Sequence, residues 1–438
     1  MLRPLPKYSL MLIILVAATS HAATFFVRPG ASGNGTSWAN AWGDMGSISW
    51  VSVTAGSTVC VAGGTYAQDL APASSGSSGN PVTVKRAIAS DPTCGSPTAG
   101  WNAAFDAPVV MNGQITLQRD FVTIDGMVQN GIKIIMQNPT GSNYSGIGVG
   151  APTNGVVLSH IEVSGPCPNG TPCPQNGDHR SINLNNWNGS SYDLQNNMTI
   201  QYMNLHGACN LMWSAHSTNA IIQFNRFADS MDTTPGNPYC HPNVIAEQDS
   251  TNITFRYNEI TNWDDEGIMA CPSSACSSSW DIYGNIFHQD SSGGVNRGLE
   301  VQSGQSGPYH VYNNTFYNVT LYVTGTANGG SYTSDSKSRN NLFWNSGGNA
   351  LPDRDYDLSN GALSEAHGQA NAANPFVNST GANYHLTGHT NAGLNLGSPF
   401  NIDYDGNGRT TWDRGAYEFG SSTGGGPQPP TGLSALVH

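Results

Sequence analysis

The chain repeats a short pattern: a β-prone run with apolar positions, then an asparagine, one variable residue and another apolar residue. The five clear copies read IIQFNRF, TFRYNEI, DIYGNIF, VYNNTFY and SRNNLFW, with the asparagine at positions 225, 258, 285, 314 and 341. These asparagines are 33, 27, 29 and 27 residues apart, and weaker copies, VVLSHIEV and MTIQYMNL, precede them. A period that varies in this way predicts a solenoid whose coils contribute short strands and share one constant corner.

Asparagine suits such a corner for two reasons. It tolerates left-handed backbone, and its side-chain amide can hydrogen-bond the equivalent asparagine in the coils above and below. The apolar residues that keep phase with it, Ile222, Phe255, Ile282 and Val311, are then expected to stack in one buried column. The alternative is that these asparagines mark unrelated turns.

Composition agrees with many short strands joined by tight corners. Glycine, which favours turns, occurs 52 times, and 38% of the residues are hydrophobic, enough to form a core. The formal charge of −13 becomes −15 without residues 1–22, whose only charges are Arg3 and Lys7. Nucleic acid is therefore not expected as a partner, since binding phosphates requires clustered Lys and Arg.

The first 22 residues have the pattern of a secretory leader: Arg3 and Lys7, an apolar run over 10–18, and the small-x-small end Ser20-His21-Ala22. We expect export to the periplasm or the extracellular space. The apolar run is too short to span a bilayer, and no later segment approaches 18 apolar residues, so no membrane span is expected. We also expect a monomer.

Eight cysteines in an exported chain favour disulfides over metal ligation. They allow 105 pairings. Pairing of neighbours along the chain gives Cys60 with Cys94, Cys167 with Cys173, Cys209 with Cys240, and Cys271 with Cys276.

Beyond the coils, three segments resemble a known family: TFFVRPGASGNGTSWANAW (24–42), AGSTVCVAGGTY (55–66) and DYDGNGRTTWDRGAYEF (403–419). With the repeats, they make the chain similar to secreted right-handed parallel β-helix proteins of the pectate-lyase-like class. The resemblance implies one all-β domain over 23–420, opened by the first two segments and closed by the third as its last turn. That class includes polysaccharide lyases, glycoside hydrolases, epimerases and non-catalytic surface proteins, so the fold leaves the chemistry open.

Residues 421–438 form a short Gly/Pro linker. The stretch PPTGLSALV within it resembles the opening strand of a fibronectin-type module, of which only the first residues are present.

The candidate chemistry comes from acidic residues concentrated between positions 220 and 305. Aligning coils on their first inward apolar residue (Ile182, Val244, Ile268 and Leu299) places His179, His241, Asp265 and Asn296 in one column. The next column then contains Arg180, Pro242, Glu266 and Arg297. Neighbouring coils lie about 4.8 Å apart, so His241 is expected over Asp265 and Glu266 over Arg297. The alternative is an exposed loop whose ion pairs contribute little.

Three classes of function are compatible with this groove. A polysaccharide lyase on an acidic, uronate glycan needs a cation or Arg to neutralise the sugar carboxylate, and a base to take the adjacent ring proton. Asp264, Asp265 and Glu266 are the candidate Ca²⁺ ligands, and Arg297 or His241 the candidate base. One departure from many lyases of this fold is the absence of lysine from the cluster.

A glycoside hydrolase of the same fold is the second class. It needs two carboxyl groups about 5 to 9.5 Å apart, and WDDEGIMAC faintly resembles the paired-Asp motif of polygalacturonases. The Gly-His-Gly and Arg-Ile-Lys motifs expected after it are missing. The third class is a non-catalytic cell-surface or adhesin protein that binds polysaccharide.

Further candidates flank the groove. His179 and Arg180 are candidate substrate-binding residues, as are Trp213 and Trp263, whose rings, like that of Trp187, can stack on sugars or simply pack in loops. Asp403, Asp405 and Asn407 have the spacing of the first positions of a Ca²⁺ loop, but Arg414 stands where the loop needs Glu. The alternative there is an Asp/Asn-rich closing turn.

Overall fold

Three parallel sheets form the body of the protein. The computed structural model describes residues 22–136, 144–166, 178–230, 240–272, 274–289, 297–319, 324–347 and 351–420. The predicted leader up to His21, the predicted linker 421–438, the Cys167–Cys173 pair and Asn296 lie outside these ranges. Within them, the repeat folds as coils that each add one strand to successive sheets, which is the predicted solenoid.

All strand pairs in the three sheets are parallel in the described ranges. The first sheet contains Thr24–Val27, Thr58–Val61, Val82–Arg86, Val122–Asp125, Val157–Ser159, Thr199–Gln201, Ile221–Gln223, Ile253–Arg256, Trp280–Tyr283, Tyr309–Tyr312, Lys337–Arg339 and Asp353–Asp355. The second contains Gly64–Tyr66, Val109–Met111, Ile132–Ile135, Ile161–Ser164, Asn204–His206, Arg226–Ser230, Glu259–Trp263, Ile286–His288, Thr315–Tyr317, Leu342–Trp344 and Leu358–Ser359. The third contains Ile115–Leu117, Ser145–Val149, Arg180–Asn183, Asn210–Ala215, Ile245–Gln248, Glu266–Ala270, Arg297–Ser306 and Thr324–Tyr332.

Smaller elements complete the described chain. A short parallel sheet joins Thr153–Asn154, Gln195–Asn196 and Ser217–Thr218, and an antiparallel pair joins Phe376–Asn378 and Asn383–Leu386. Four 3₁₀ turns span Met45–Ser47, Trp50–Ser52, Ala103–Asp106 and Ser379–Gly381. In the part of the chain described here, no helix is long and apolar enough to cross a membrane.

The predicted core column is confirmed. Strand register aligns Ile222, Phe255, Ile282 and Val311 across successive coils of the first sheet. All four side chains are buried. A single apolar core continues along the inside of the three sheets, because each coil supplies inward residues at the same register position.

The asparagines form a buried ladder, consisting of Asn225, Asn258, Asn285, Asn314 and Asn341. Each asparagine from Asn225 to Asn314 donates two hydrogen bonds, from its backbone N–H and from its Nδ2, to the Oδ1 atom of the next asparagine in the ladder, at 2.9–3.0 Å. Each Nδ2 also donates to a carbonyl of the coil before. The ladder ends on Asp357, whose Oδ1 accepts from the N–H of Asn341 at 2.8 Å.

The residue with left-handed backbone at this corner is the one before each ladder asparagine. The prediction that asparagine recurs there because it tolerates left-handed backbone is therefore wrong. Phe224, Tyr257, Asn313 and Asn340 have φ between 53° and 57°. The matching residue in the third coil is Gly284, where a Cβ atom would come within 2.6 Å of the Tyr257 ring. The ladder asparagines are therefore selected by their amide hydrogen bonds.

The closing segment, 403–419, does not form a last turn. The sheets end at Asp353–Asp355 and Leu358–Ser359, and the segment instead lies against the flank of earlier coils. Ala416 N–H donates to Thr315 Oγ1 at 3.0 Å, and the Tyr257 hydroxyl donates to the Ile402 carbonyl at 3.3 Å. The segment covers the aromatic residues at the corner, such as Tyr257, and buries its own Tyr404 and Tyr417 with them.

Three of the four expected disulfides are present: Cys60–Cys94, Cys209–Cys240 and Cys271–Cys276. Cys209 and Cys240 follow each other on successive coils, with Cα atoms 5.5 Å apart. Chain neighbours pair because the coil brings them together within one or two turns of the solenoid.

Glu247 is fully buried inside the coils. Its carboxylate accepts hydrogen bonds from Ser278 Oγ at 2.7 Å, Tyr309 Oη at 3.1 Å and Ser250 N–H at 3.3 Å. Burial raises its pKa from 4.5 to about 8, and these three donors offset that effect only in part.

This raised pKa predicts a pH dependence of stability. Since the folded-state pKa lies above the unfolded value, the contribution is full below about pH 4.5 and falls as pH rises toward about 8. We expect Glu247→Gln to remove this component, so the variant should gain stability relative to the wild type between about pH 5 and about pH 8. Urea titrations at both pH values measure the difference.

Asp91→Asn is the matched control. Burial acts to raise the pKa of Asp91, but hydrogen bonds from Lys85, Thr93 and Cys94 outweigh it and lower the pKa below 3.8, so its contribution is lost only in acid, below about pH 4. This variant should show no relative gain between about pH 5 and about pH 8. A pH-independent difference for Glu247→Gln would contradict the burial argument.

Candidate functional site

The candidate site lies where neighbouring strands of the third sheet begin. Glu266 opens the strand Glu266–Ala270, Arg297 opens Arg297–Ser306, and the two residues are register partners. The predicted placement of Glu266 over Arg297, and of Ile268 over Leu299, is confirmed.

The predicted columns are wrong in two places. Ile245, rather than Val244, pairs with Ile268, because both residues are buried and apolar and the pattern cannot choose between them. An additional coil, Asn210–Ala215, also lies between Arg180–Asn183 and Ile245–Gln248. His179 and Arg180 are therefore two coils, roughly 10 Å, from the coil of His241.

Arg297 is the centre of a carboxylate cluster made of Asp265, Glu266 and Glu300. Its Nη1 atom lies 3.2 Å from Asp265 Oδ1, 2.6 Å from Glu266 Oε1 and 2.8 Å from Glu300 Oε2. Three acids against one guanidinium leave an excess of negative charge, and the Glu266 side chain has no exposed surface. Arrangements of this kind are stabilised by a proton or by a further cation.

Burial and the neighbouring carboxylates raise the pKa of Glu266, and burial also raises the pKa of Glu300. The two groups contact the same guanidinium, and the Glu300 charge is one cause of the raised pKa of Glu266. The acids in turn raise the pKa of Arg297, which stays charged.

His241 and Asp265 form the accessible part of the site. The His241 side chain is 66% exposed and that of Asp265 34%, and Nδ1 of His241 lies 3.9 Å from Oδ2 of Asp265. The predicted proximity of His241 and Asp265 is thus observed. Glu300, which the sequence reasoning counted among the acids but gave no role, completes the cluster; its spacing of three residues from Arg297 was the available signal.

The ligand atoms of His241, Asp265 and Glu266 lie within 4.8 Å of one another. Calcium takes six to eight oxygen ligands, whereas this group offers two carboxylates and one imidazole nitrogen, with Arg297 already on both carboxylates. Asp264, the third predicted ligand, is exposed and is not part of the group. The donors of this group therefore do not fit Ca²⁺.

Two of the predicted substrate-binding residues, His179 and Arg180, lie apart from this cluster. His179 is fully buried, and neither ring nitrogen has a hydrogen-bond partner among the described residues, so it is not placed to touch a substrate. Arg180 lies 4.2 Å above the Trp213 ring and pairs with Asp178, which also accepts a hydrogen bond from Asn210 Nδ2 at 2.6 Å.

The tryptophan predictions need correction as well. Trp263 is only 1% exposed and donates from Nε1 to the Arg297 carbonyl at 3.2 Å, so it supports the cluster from beneath and offers no face to a sugar. Trp213 lies in the strand Asn210–Ala215 and is half-buried. Burial of a side chain inside or outside a coil depends on neighbouring loops, which local patterns do not show.

The Asp403 turn is held by protein donors. Asp403 Oδ1 accepts from the N–H groups of Asp405 and Asn407 at 3.1 and 2.8 Å and from Asn407 Nδ2 at 3.3 Å. Asp405 pairs with His385 Nε2 at 2.8 Å. This geometry matches the closing-turn alternative, and Ca²⁺ binding at the turn remains a prediction.

Comparison with known proteins establishes the fold. No protein-family model and no curated protein matches the sequence. Among solved structures, "Crystal structure of pectate lyase Pel9A" aligns with a TM-score of 0.57 at 13% identity, covering 91% of this chain and 96% of that one. The chain is a right-handed parallel β-helix, as the sequence predicted.

A second solved structure agrees. "The complex structure of XylC with xylose" aligns with a TM-score of 0.53 at 10% identity, covering 90% of this chain and 98% of that one. At such identities the likeness concerns the fold alone, and the activity has to be argued from the site.

Proposed function

We propose that this protein is an exported polysaccharide lyase that acts on an acidic, uronate-containing glycan. The observation that carries the proposal is the exposed His241 imidazole beside Asp265. Asp265 in turn belongs to the carboxylate cluster centred on Arg297. Three disulfides support export to an oxidising compartment, and the fold shared with a pectate lyase supports polysaccharide as substrate.

Two observations favour His241 over Arg297 as the base. Arg297 has its pKa raised by Glu300, Glu266 and Asp265, so it cannot accept a proton at neutral pH. His241 is accessible, an imidazole nitrogen can accept a proton, and its Nδ1 lies 3.9 Å from the Asp265 carboxylate. We therefore assign the base to His241 and the orienting carboxylate to Asp265, which Arg297 holds in place.

The reaction balances without a co-reactant. His241 takes the ring proton next to the sugar carboxylate, the electron pair forms a C=C bond in the ring, and the bond from the ring to the leaving glycosidic oxygen breaks. The leaving oxygen then takes a proton from solvent or from the imidazolium. This chemistry needs one accessible base, which is what the cluster exposes.

A glycoside hydrolase is favoured by one observation, the exposed Asp264 next to Asp265. Hydrolysis requires two carboxyl groups that both reach the glycosidic bond, and Glu266 is fully buried. Asp264 and Asp265 would then have to supply both.

The test is a glycan panel incubated with residues 24–420, with and without a chelator. We expect uronate polymers such as polygalacturonate or alginate to yield products with the ultraviolet absorbance of a new C=C bond, and neutral glucans and xylans to yield none. Loss of activity with the chelator would contradict this assignment of roles, which needs no metal ion. New reducing ends without absorbance would replace the lyase by a hydrolase. Retardation in a gel without any product would favour the non-catalytic alternative.

A further inference from the structure

A second cleft lies at the opposite end of the third sheet. It has a volume of about 660 Å³ and is lined by Trp187, Ser190, Ser191, Tyr192, His216, Gln248, Asp249, Thr251, Ser274 and Ser277. We call it the aromatic cleft. Asn243 lies beside the carboxylate cluster, and Gln248 comes five positions later along the chain. At about 3.3 Å per residue, the two sites are roughly 16 Å apart.

The aromatic cleft has an exposed apolar platform. Trp187 is 58% exposed, and its ring meets that of Tyr192 edge-on, with centroids 5.1 Å apart and an interplanar angle of 70°. Asp193 holds the loop by accepting from Asn186 Nδ2 at 2.7 Å and Asn188 Nδ2 at 2.8 Å. The loop therefore holds the indole in one position. Exposure of the indole to water is unfavourable, and a ligand that stacks on the ring would remove that contact with water.

A buried polar group at the cleft lacks a partner. Gln248 is 6% exposed, and its Oε1 atom has no hydrogen-bond partner among the described residues. Its Nε2 makes long contacts, 3.4 Å to Ser274 Oγ and 3.5 Å to Asp249 Oδ2. Buried acceptors are normally satisfied, and Gln248 lines the cleft, so this oxygen is an unmet acceptor in the cleft wall.

The charge of the cleft selects among hydroxyl-bearing ligands. Asp249 is its acidic residue, and the lining residues named above include no Lys or Arg. A uronate carboxylate would face Asp249 without a counter-charge, whereas a neutral sugar would offer hydroxyl donors to Gln248 and Asp249 and an apolar C–H face to Trp187. His216, fixed by the Tyr192 carbonyl at 2.8 Å from Nδ1, adds a further polar contact.

We propose that the aromatic cleft binds an uncharged saccharide, with Trp187 as the stacking platform and Gln248 and Asp249 as hydroxyl acceptors. The cleft spans four successive coils, from the Trp187 loop to Ser277, or roughly 14 Å along the axis, enough for more than one sugar unit. The protein would thus hold a neutral stretch or branch of a glycan while the carboxylate cluster faces an acidic stretch.

Calorimetric titration of neutral oligosaccharides (xylo-, galacto- and cello-oligosaccharides) into the protein tests this. At least one series should bind, and both Trp187→Ala and Gln248→Leu should weaken that binding about tenfold or more. Trp187→Phe should retain most of it. Val51→Ala, which trims an apolar side chain that is 91% exposed outside the cleft, is the matched control and should bind as the wild type does.

The same titrations in an Asp265→Asn background keep this proposal separate from the lyase. Neutral binding should persist there, whatever happens to catalysis. Three results would overturn the proposal: no neutral series binds, binding survives both Trp187→Ala and Gln248→Leu in variants with wild-type thermal stability, or galacturonate oligomers bind in the cleft as tightly as neutral ones.

Discussion

Replacing Asp265 with asparagine should lower the rate of product release from the active uronate polymer about 10²-fold or more. The amide keeps the shape of the side chain but cannot stabilise the imidazolium that forms when His241 takes the ring proton. His241→Ala should cause a loss of at least the same size. Because both residues serve one proton transfer, the double variant should be little slower than His241→Ala alone. Initial rates from the absorbance of the new C=C bond measure all three.

His367→Ala is the control for these variants. His367 is also exposed, at 58%, and also pairs with an aspartate, with Nδ1 2.7 Å from Asp355 Oδ2, but it lies near the far end of the coils. Its removal should change the rate by less than about twofold. Wild-type rates in His241→Ala, with thermal unfolding unchanged, would show that the proposed base is another residue.

Replacing Asn285 with aspartate should destabilise the protein by about 3–5 kcal/mol. Asn285 is fully buried, and its Nδ2 donates to the Phe255 carbonyl and to Asn314 Oδ1, both at 2.9 Å. Aspartate is of nearly equal size but places a carboxylate oxygen against two acceptor oxygens, so it must stay protonated or leave a buried charge. Urea denaturation measures the loss, which should grow as pH rises.

Asn252→Asp makes the same change at an asparagine that is exposed to solvent and bonds to an asparagine of the coil before. Asn252 donates from Nδ2 to Asn219 Oδ1 at 2.6 Å, at a corner where water can replace the lost bond. We expect a change of less than about 1 kcal/mol. Equal losses in the two variants would mean that the buried ladder contributes no more than surface hydrogen bonds.

The sequence predicted the features that repeat from coil to coil. Ile222, Phe255, Ile282 and Val311 stack as their phase with the asparagines predicted, and the ladder amides bond as expected. Each such contact joins a residue to its equivalent in the next coil, so one short pattern encodes both partners. Glu266 over Arg297 belongs to this group because it lies within the same register.

The sequence did not predict the features that depend on irregular coils. The intervening coil around Met212 follows only a weaker copy of the repeat, with Met203 at the place of the ladder asparagine, so His179 and Arg180 were placed in a column they do not share with His241. Asp357 ends the ladder through a carboxylate that burial and the Glu365 charge keep protonated, with its pKa raised to about 8. Nothing in its local sequence distinguishes it from a surface turn.

By itself, the sequence determined the β-helix, its core column and its ladder of asparagines, because these follow from residues that meet their own equivalents one coil away. Only the tertiary structure decided which polar side chains are reachable. His241 and Asp265 reach solvent, whereas Glu266, Trp263 and His179 are buried and Glu300 joins them. The reason is that a side chain's exposure depends on segments distant in the chain that pack over the coil, and that packing leaves no local pattern.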